Sequence, residues 1–570
     1  MSGNDNPPVP LQGFMQAGQS LAQGFVEFLS KQQELLRHNA TIRSEETAKL
    51  HKEFMERHAR LWTAMLQRKP GEPSPPVAPA EPGDRRFAAP EWSRSPFYDY
   101  LRQAYLINAD FLKQIAETLP VEDGAAKSRV RFLTRQYVDA LAPSNFAATN
   151  PEFVKIALET KGASITEGIK NMIADLEKGR ISMTDDKAFE LGRNLAVTPG
   201  QVIFENEVMQ LVQYAPLTDK VAERPLLIIP PCINKYYVLD LQPENSLVRY
   251  LLEQGQTVFL ASWRNPGPEQ GRLTWDDYLE QGVLAALRVT REVAGLERIN
   301  LLGYCIGGTL LASALAIARA RGEDAVESLS LFTTLLDFSD TGEIGYFIDE
   351  ASVAAREAAI GKGGLLPGSE LAAVFRSLRP NELIWNYVVD NYLKGRQPAP
   401  FDILYWNLDN TNLPGPFLCY YLRHMYLNNS LRVPGKLEMC GTRVDLTRLQ
   451  MPAYILAARE DHIVPWRTAY LSRQLLGGES TFVLGASGHI AGVINPVAKN
   501  RRSYWTNGAS VADSQEWLAG AAENKGSWWP HWIAWLRQFG GRQRTARKRP
   551  GGKGYKPIEP APGRYVKEKA

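Results

Sequence analysis

Cys305 stands between glycines in Gly303-Tyr304-Cys305-Ile306-Gly307-Gly308-Thr309, and the spacing itself suggests a chemistry. An apolar run of strand character, Ile299-Asn300-Leu301-Leu302, leads in, and a helix-forming run from Gly308 to Ala316 leads out. A sharp strand-to-helix turn leaves no room for side chains beside its apex, so both flanks are glycine. The helix N-terminus directs its free N–H groups at the sulfur, favouring the thiolate and any oxyanion formed later. Serine is the usual residue at such an apex. The bland alternative is an inert cysteine in a glycine-rich bend.

Two downstream stretches favour the chemical reading. Ala458-Arg459-Glu460-Asp461-His462-Ile463-Val464-Pro465 follows one apolar run, and Gly485-Ala486-Ser487-Gly488-His489 follows the next. Nucleophile, acid and histidine thus come in the chain order of an α/β-hydrolase, each just past a candidate strand. Cys305, Asp461 and His489 are the expected catalytic residues. Glu460 is the nearest rival acid. His462 is a rival base, but its place directly beside the acid suits a flanking or substrate-facing role, as do those of Tyr304 and Asn234. The oxyanion hole needs two backbone donors. Ile306 N–H is one; Ile233 N–H is the other, from the loop Pro230-Pro231-Cys232-Ile233-Asn234-Lys235-Tyr236-Tyr237, whose prolines carry no N–H. Cys232 reads as a packing thiol. Why cysteine at 305? A thiolate attacking a thioester exchanges one thiol for another at nearly no cost, and the acyl group stays activated. Acyl transfer from a thioester is therefore favoured over ester hydrolysis, although cysteine hydrolases of this fold exist.

The elements that must carry these residues are short strands alternating with helices after Thr198-Pro199-Gly200, the pattern of a mainly parallel sheet. Expected strands are Leu226–Ile229, Thr257–Ala261, Ile299–Leu302, Ser328–Thr333, Ala453–Ala457 and Thr481–Leu484. Thr274-Trp275-Asp276-Asp277 reads as a capping box opening a helix to about Ala294. The aromatic, proline-punctuated stretch 338–446 reads as a cap insertion over the site. The fold class is α/β: an α/β-hydrolase domain with a cap, preceded by an all-helical domain. The expected division is an amphipathic helical extension over 1–69, a Pro-rich linker over 70–90, a helical domain over 91–195, a catalytic domain over 196–540, and a basic, disordered tail over 541–570. In the extension, Phe14, Leu21, Phe25, Phe28 and Leu29, continued near Leu35-Leu36, mark one apolar stripe; Phe54, Leu61 and Met65 lie farther on. Trp528-Trp529-Pro530-His531-Trp532 opens a last helix packed on the sheet.

At 570 residues the chain exceeds one ordinary domain, and its 44% hydrophobic content and 13 Trp can fill sizeable cores. A net charge of +3 argues against a dedicated nucleic-acid binder. The four cysteines, Cys232, Cys305, Cys419 and Cys440, are scattered without metal-ligand spacing, so free thiols in a reducing, cytosolic setting and no metal are expected. The first residues lack the basic and apolar regions of a secretory signal, and no stretch is apolar for long enough to span a bilayer.

With these residues in view, the chain resembles the polyhydroxyalkanoate synthases, specifically the single-subunit class I type acting on short-chain substrates. The likeness rests on Gly303–Thr309, Pro230–Tyr237, Ala458–Trp466, Gly488–Pro496, Leu404–Asn407 and Thr411–Gly415, and it covers roughly residues 90–539. The resemblance implies a cytoplasmic acyltransferase that polymerises (R)-3-hydroxyacyl-CoA, most directly 3-hydroxybutyryl-CoA, with release of CoA and no further cofactor. His489 would deprotonate Cys305, and Asp461 would activate the 3-hydroxyl of the next unit, directly or through His489. It also implies a homodimer at the surface of the nascent polyester granule, with the cap gating access. A cysteine-dependent thioesterase or polyester depolymerase is the nearest alternative; a non-catalytic granule-associated structural protein is one of another class.

Overall fold

The computed structural model describes residues 44–68, 76–121, 123–509, 511–552 and 554–570. The apolar stripe from Phe14 to Leu36 lies outside them. The chain divides into two compact units, Met1–Asp186 with Phe375–Pro400 and Lys187–Val374 with Phe401–Ala570.

The first unit is helical: Ser44–Gln67, Pro96–Thr118, Gly124–Ala140, Pro151–Glu159 and Ala163–Lys178 are its longer helices. Local chemistry sets their ends. Asn150 caps the fourth, accepting from the Glu152 and Phe153 N–H groups, with Pro151 in the first turn. Left-handed Gly162 and Gly179 bound the fifth. The first two pack as a hairpin, Leu61 buried with Ile107 and Phe54 lying 4.5 Å from Phe111 between ring centroids. Residues 76–90, within the stretch expected as a Pro-rich linker, are anchored: Gln103 Oε1 accepts from Val77 N and Ala78 N, and Phe87 is buried against Trp92.

Residues 375–400 fall inside the expected cap yet join this unit. The reason is a set of bonds that aromatic content could not reveal. Gln136 donates to the Ser377 carbonyl, Asn171 to that of Asn391, Tyr392 to Asp175, and Lys394 pairs with Glu152.

The second unit is built on an 11-stranded sheet. Its strands are β1 (Gly200–Glu205), β2 (Met209–Tyr214), β3 (Leu226–Ile229), β4 (Val258–Trp263), β5 (Ile299–Tyr304) and β6 (Val326–Phe332), followed by β7 (Ala453–Ala458), β8 (Ser480–Gly485), β9 (Ser503–Thr506), β10 (Ala522–Lys525) and β11 (Glu559–Pro560). They lie in the order β10-β9-β8-β7-β6-β5-β3-β4-β2-β1-β11. The central run from β8 to β4 is parallel and the flanking strands pair antiparallel. The six parallel strands are those expected from the sequence, each within a few residues; the antiparallel flanks were not anticipated.

Side chains alternate between two cores. Leu227, Ile229 and Leu301 enter one with the Ile306–Ala320 helix; Leu226, Ile228 and Leu302 enter the other with the Trp529–Arg537 helix. Cover on both faces explains why the central strands read as unbroken apolar runs. Trp528, Trp529 and Trp532 are buried, and Trp532 Nε1 donates to Ser330 Oγ at 2.9 Å.

The segment after Phe539 corrects the expectation of a disordered tail. Gln543–Thr545 pairs with Lys220–Ala222, β11 extends the sheet beside β1, and Tyr565 and Val566 are buried. Its glycines serve turns, at positive φ in Gly551, Gly554 and Gly563, and Arg564 pairs with Glu205 and Glu559. A basic count hid both the apolar anchors and the acidic partners.

Candidate active site

β5 ends at Tyr304, and the Ile306–Ala320 helix begins one residue past Cys305. Cys305 is held at φ 53° and ψ −129°, a conformation that a residue with a Cβ adopts only where its surroundings impose it. The neighbouring glycines let the chain close. A Cβ on Gly303 would stand 2.4 Å from Gly308 Cα, and one on Gly307 would stand 2.3 Å from the Ile229 carbonyl oxygen. The helix start therefore rests directly on the backbone leaving β3. Thr334 Oγ1 donates to the Cys305 carbonyl at 3.2 Å.

Cys305 is partly exposed, whereas Cys232 and Cys419 are buried. Burial pushes the Cys232 thiol up, and the nearby Cys305 adds to the shift. Cys440 is partly exposed too, but burial and then Asp276 push it up to about 12, so it stays a thiol.

Asp461 follows β7 and His489 follows β8, as the sequence predicts. Asp461 Oδ1 accepts from Ile463 N at 2.9 Å and Val464 N at 2.8 Å, and its Oδ2 lies 2.6 Å from His489 Nδ1. Both residues are buried. Cys305 also acts electrostatically on this imidazole, and with Nδ1 given to Asp461 the nitrogen left for the sulfur is Nε2. Burial by itself lowers the basicity of His489; the charges of Asp461 and Cys305, with the hydrogen bond to Asp461, outweigh it and raise the pKa from 6.5 to about 10. The arrangement stores a proton on the ring between two acidic groups. The Tyr304 ring stacks on it, with centroids 5.8 Å apart and planes at 25°.

The remaining expected residues separate. Ile306 opens the helix, where its N–H has no intrahelical carbonyl to serve. Ile233 packs partly buried against the core in the loop after β3. Asn234 bridges to Asn410, the Lys235 carbonyl accepts from Trp406 Nε1 at 2.6 Å, and Tyr237 donates to Asp409, so this loop is stitched to residues 406–410. The His462 carbonyl accepts from Glu343 N. Glu460, the rival acid, is exposed.

Tyr421 and Tyr426 lie in the stretch 338–446 expected as the cap, where the sequence pattern assigns neither a place at the site. Burial raises both phenols, and charge on Cys305 acts on both in the same direction. Their rings meet edge to face at 5.1 Å, each against Phe338, while Trp275 stacks on Tyr421. The density of aromatics in this stretch is the available signal; it does not single out the two phenols on which Cys305 acts.

A doubly covered parallel sheet with a cysteine at the strand-to-helix turn and an Asp–His pair on the next loops defines an α/β-hydrolase-type protein. Residues 225–496 match the family described as alpha/beta hydrolase fold, and residues 83–251 match that described as Poly-beta-hydroxybutyrate polymerase (PhaC) N-terminus. The Poly(3-hydroxyalkanoate) polymerase subunit PhaC of Cupriavidus necator is 54% identical over 526 residues, 91% of this chain and 88% of that protein. The protein of that name in Rhizobium meliloti is 41% identical, over 90% of this chain and 84% of its own length. The Poly(3-hydroxyalkanoate) polymerase of Methylorubrum extorquens is also 41% identical, over 90% and 85%. The chain belongs to the poly(3-hydroxyalkanoate) polymerase family. Among the described residues no helix is long and apolar enough to cross a membrane.

Proposed function

We propose that this chain polymerises (R)-3-hydroxyacyl-CoA, with 3-hydroxybutyryl-CoA the preferred short-chain substrate, through a thioester on Cys305. The observation that carries the reading is the His489–Asp461 pair at 2.6 Å, with Cys305 acting on the same imidazole, in a chain akin to named polymerases over nine-tenths of its length. With the thiol proton on His489, the Cys305 sulfur attacks the substrate carbonyl. Negative charge gathers on the carbonyl oxygen, facing the N–H groups of Ile306 and Ile233. The carbon–sulfur bond to CoA breaks, and CoA departs as a thiol with the proton from His489.

Neutral His489 then accepts the proton of the 3-hydroxyl on the next CoA-bound unit. That oxygen attacks the Cys305 thioester, an ester bond forms, and Cys305 leaves. The lengthened chain, now on CoA, returns to Cys305 by the same thiol exchange, freeing CoA. Asp461 acts through His489, to which its Oδ2 is bonded while Oδ1 is held by two backbone N–H groups. His462, Tyr304 and Asn234 flank the reacting groups. No metal or further cofactor takes part, and nucleic acid is not a partner. The working form is a cytoplasmic homodimer at the surface of its own polyester granule.

Purified chain given (R)-3-hydroxybutyryl-CoA tests this. Release of CoA with formation of insoluble polyester is the expected result. Release of CoA with soluble 3-hydroxybutyrate would identify a thioesterase instead, and no release of CoA would identify a non-catalytic granule protein.

A further inference from the structure

The C-terminal segment, in folding back on the sheet, closes a cavity of about 280 Å³ that the proposed reaction does not use. Gln256 and Thr257 on its wall precede β4, whereas Cys305 follows β5. Both strands run parallel to β3, so cavity and sulfur lie toward opposite ends of the sheet.

Its chemistry is divided. Leu252, Phe259 and Val293 give an apolar slot; Arg544, Arg547 and Lys548 border it, and no carboxylate lines it. Gln256 is only 1% exposed, yet its Oε1 has no hydrogen-bond partner. The Nε of Arg544 is likewise buried without one. Burial first, and then Arg547 and Arg542, weaken the hold of Arg544 on its proton, with Glu223 opposing. An anion at this place would relieve the crowded guanidinium groups, which match phosphate oxygens in geometry. A carboxamide on an apolar wall can accept from an adenine amine and donate to the adjacent ring nitrogen. The volume is close to the lower end of ordinary ligand pockets, roughly 300 Å³.

We propose that this cavity binds an adenine nucleotide, with the base in the slot against Phe259 and Gln256 and the phosphates on Arg544, Arg547 and Lys548. Either free nucleotide or the adenylate end of CoA has this chemistry. The cavity lies toward the other end of the sheet from Cys305, so this site is separate from the proposed reaction centre and the proposal is independent of how the polymerase reading fares.

Calorimetric titration of the full-length chain with ADP, CoA and inorganic pyrophosphate tests the proposal. ADP should bind once per chain, at least tenfold more weakly after Arg544→Gln and after Gln256→Leu. Displacement of ADP by CoA would make CoA a source of the ligand; failure to displace it would leave the free nucleotide. Should Gln256→Leu not fold, Arg547→Gln, at an exposed position, carries the comparison. Absence of saturable ADP binding, or binding indifferent to these substitutions, overturns the proposal. So does pyrophosphate binding as tight as that of ADP, which would mean that nothing reads the base.

Discussion

Asp461 Oδ2 lies 2.6 Å from His489 Nδ1, and the other carboxylate oxygen is held by two backbone N–H groups of its own turn. The carboxylate is thus fixed before any substrate arrives, and the ring it orients keeps its second nitrogen for Cys305. Asp461→Asn can still accept from Ile463 and Val464 but cannot stabilise an imidazolium. It should fold normally and lower kcat by about 10³–10⁴-fold, read as CoA release. Asp461→Ala removes those backbone bonds as well and should cost about 3 kcal/mol of stability, measured by denaturant unfolding.

Cys305→Ala should abolish CoA release, with the thermal unfolding profile little changed because the side chain is small and partly exposed. It also removes one of the two charges that raise His489. The imidazole pKa, followed by NMR, should therefore fall below about 10. An unchanged ring would show that sulfur and imidazole do not interact.

The raised pKa carries a sign. In the unfolded chain His489 titrates near 6.5, and in the folded chain near 10, so protonation favours the folded state. That contribution is complete below about pH 6.5 and is lost as the pH climbs toward about 10. The stability gap between the unaltered chain and His489→Gln, from urea midpoints, should shrink steadily across this window. A gap that widened with pH would contradict the assignment.

Gly307→Ala forces a Cβ to 2.3 Å from one carbonyl oxygen and 2.5 Å from the next, both of them backbone. It should destabilise by about 2–3 kcal/mol and reduce activity further by displacing the Pro230–Tyr237 loop from Ile306. Gly124→Ala, where nothing lies within 4 Å, is the control and should stay within about 0.5 kcal/mol of the parent.

Ending the chain after Phe539 should do more than shed charge. It uncovers the edge of β1, removes the Gln543–Thr545 pairing, and takes away the bonds from Lys235 to the Glu568 carbonyl and from Lys569 to Asp409. Lower thermal stability and a raised tendency to aggregate are expected, by scanning fluorimetry and light scattering. A disordered tail would have left both unchanged.

The sequence by itself determined the parallel core and the places of Cys305, Asp461 and His489 just past its strands. Both are written in local patterns: apolar runs of strand length, and chemistry-bearing residues placed just past them, where glycine and proline enforce turns. Tertiary structure alone decided that residues 375–400 leave the cap for the helical unit, that the basic C-terminus becomes part of the sheet, and that Tyr421 and Tyr426 meet edge to face against Phe338. Each depends on partners far away in the chain, Asn391 with Asn171 or Glu559 with Val202, whose pairing leaves no periodic mark on either segment. The same distinction explains the cavity beside Gln256. Three cations that look like a solvated run along the chain become a pocket only once the sheet edge behind them supplies a wall.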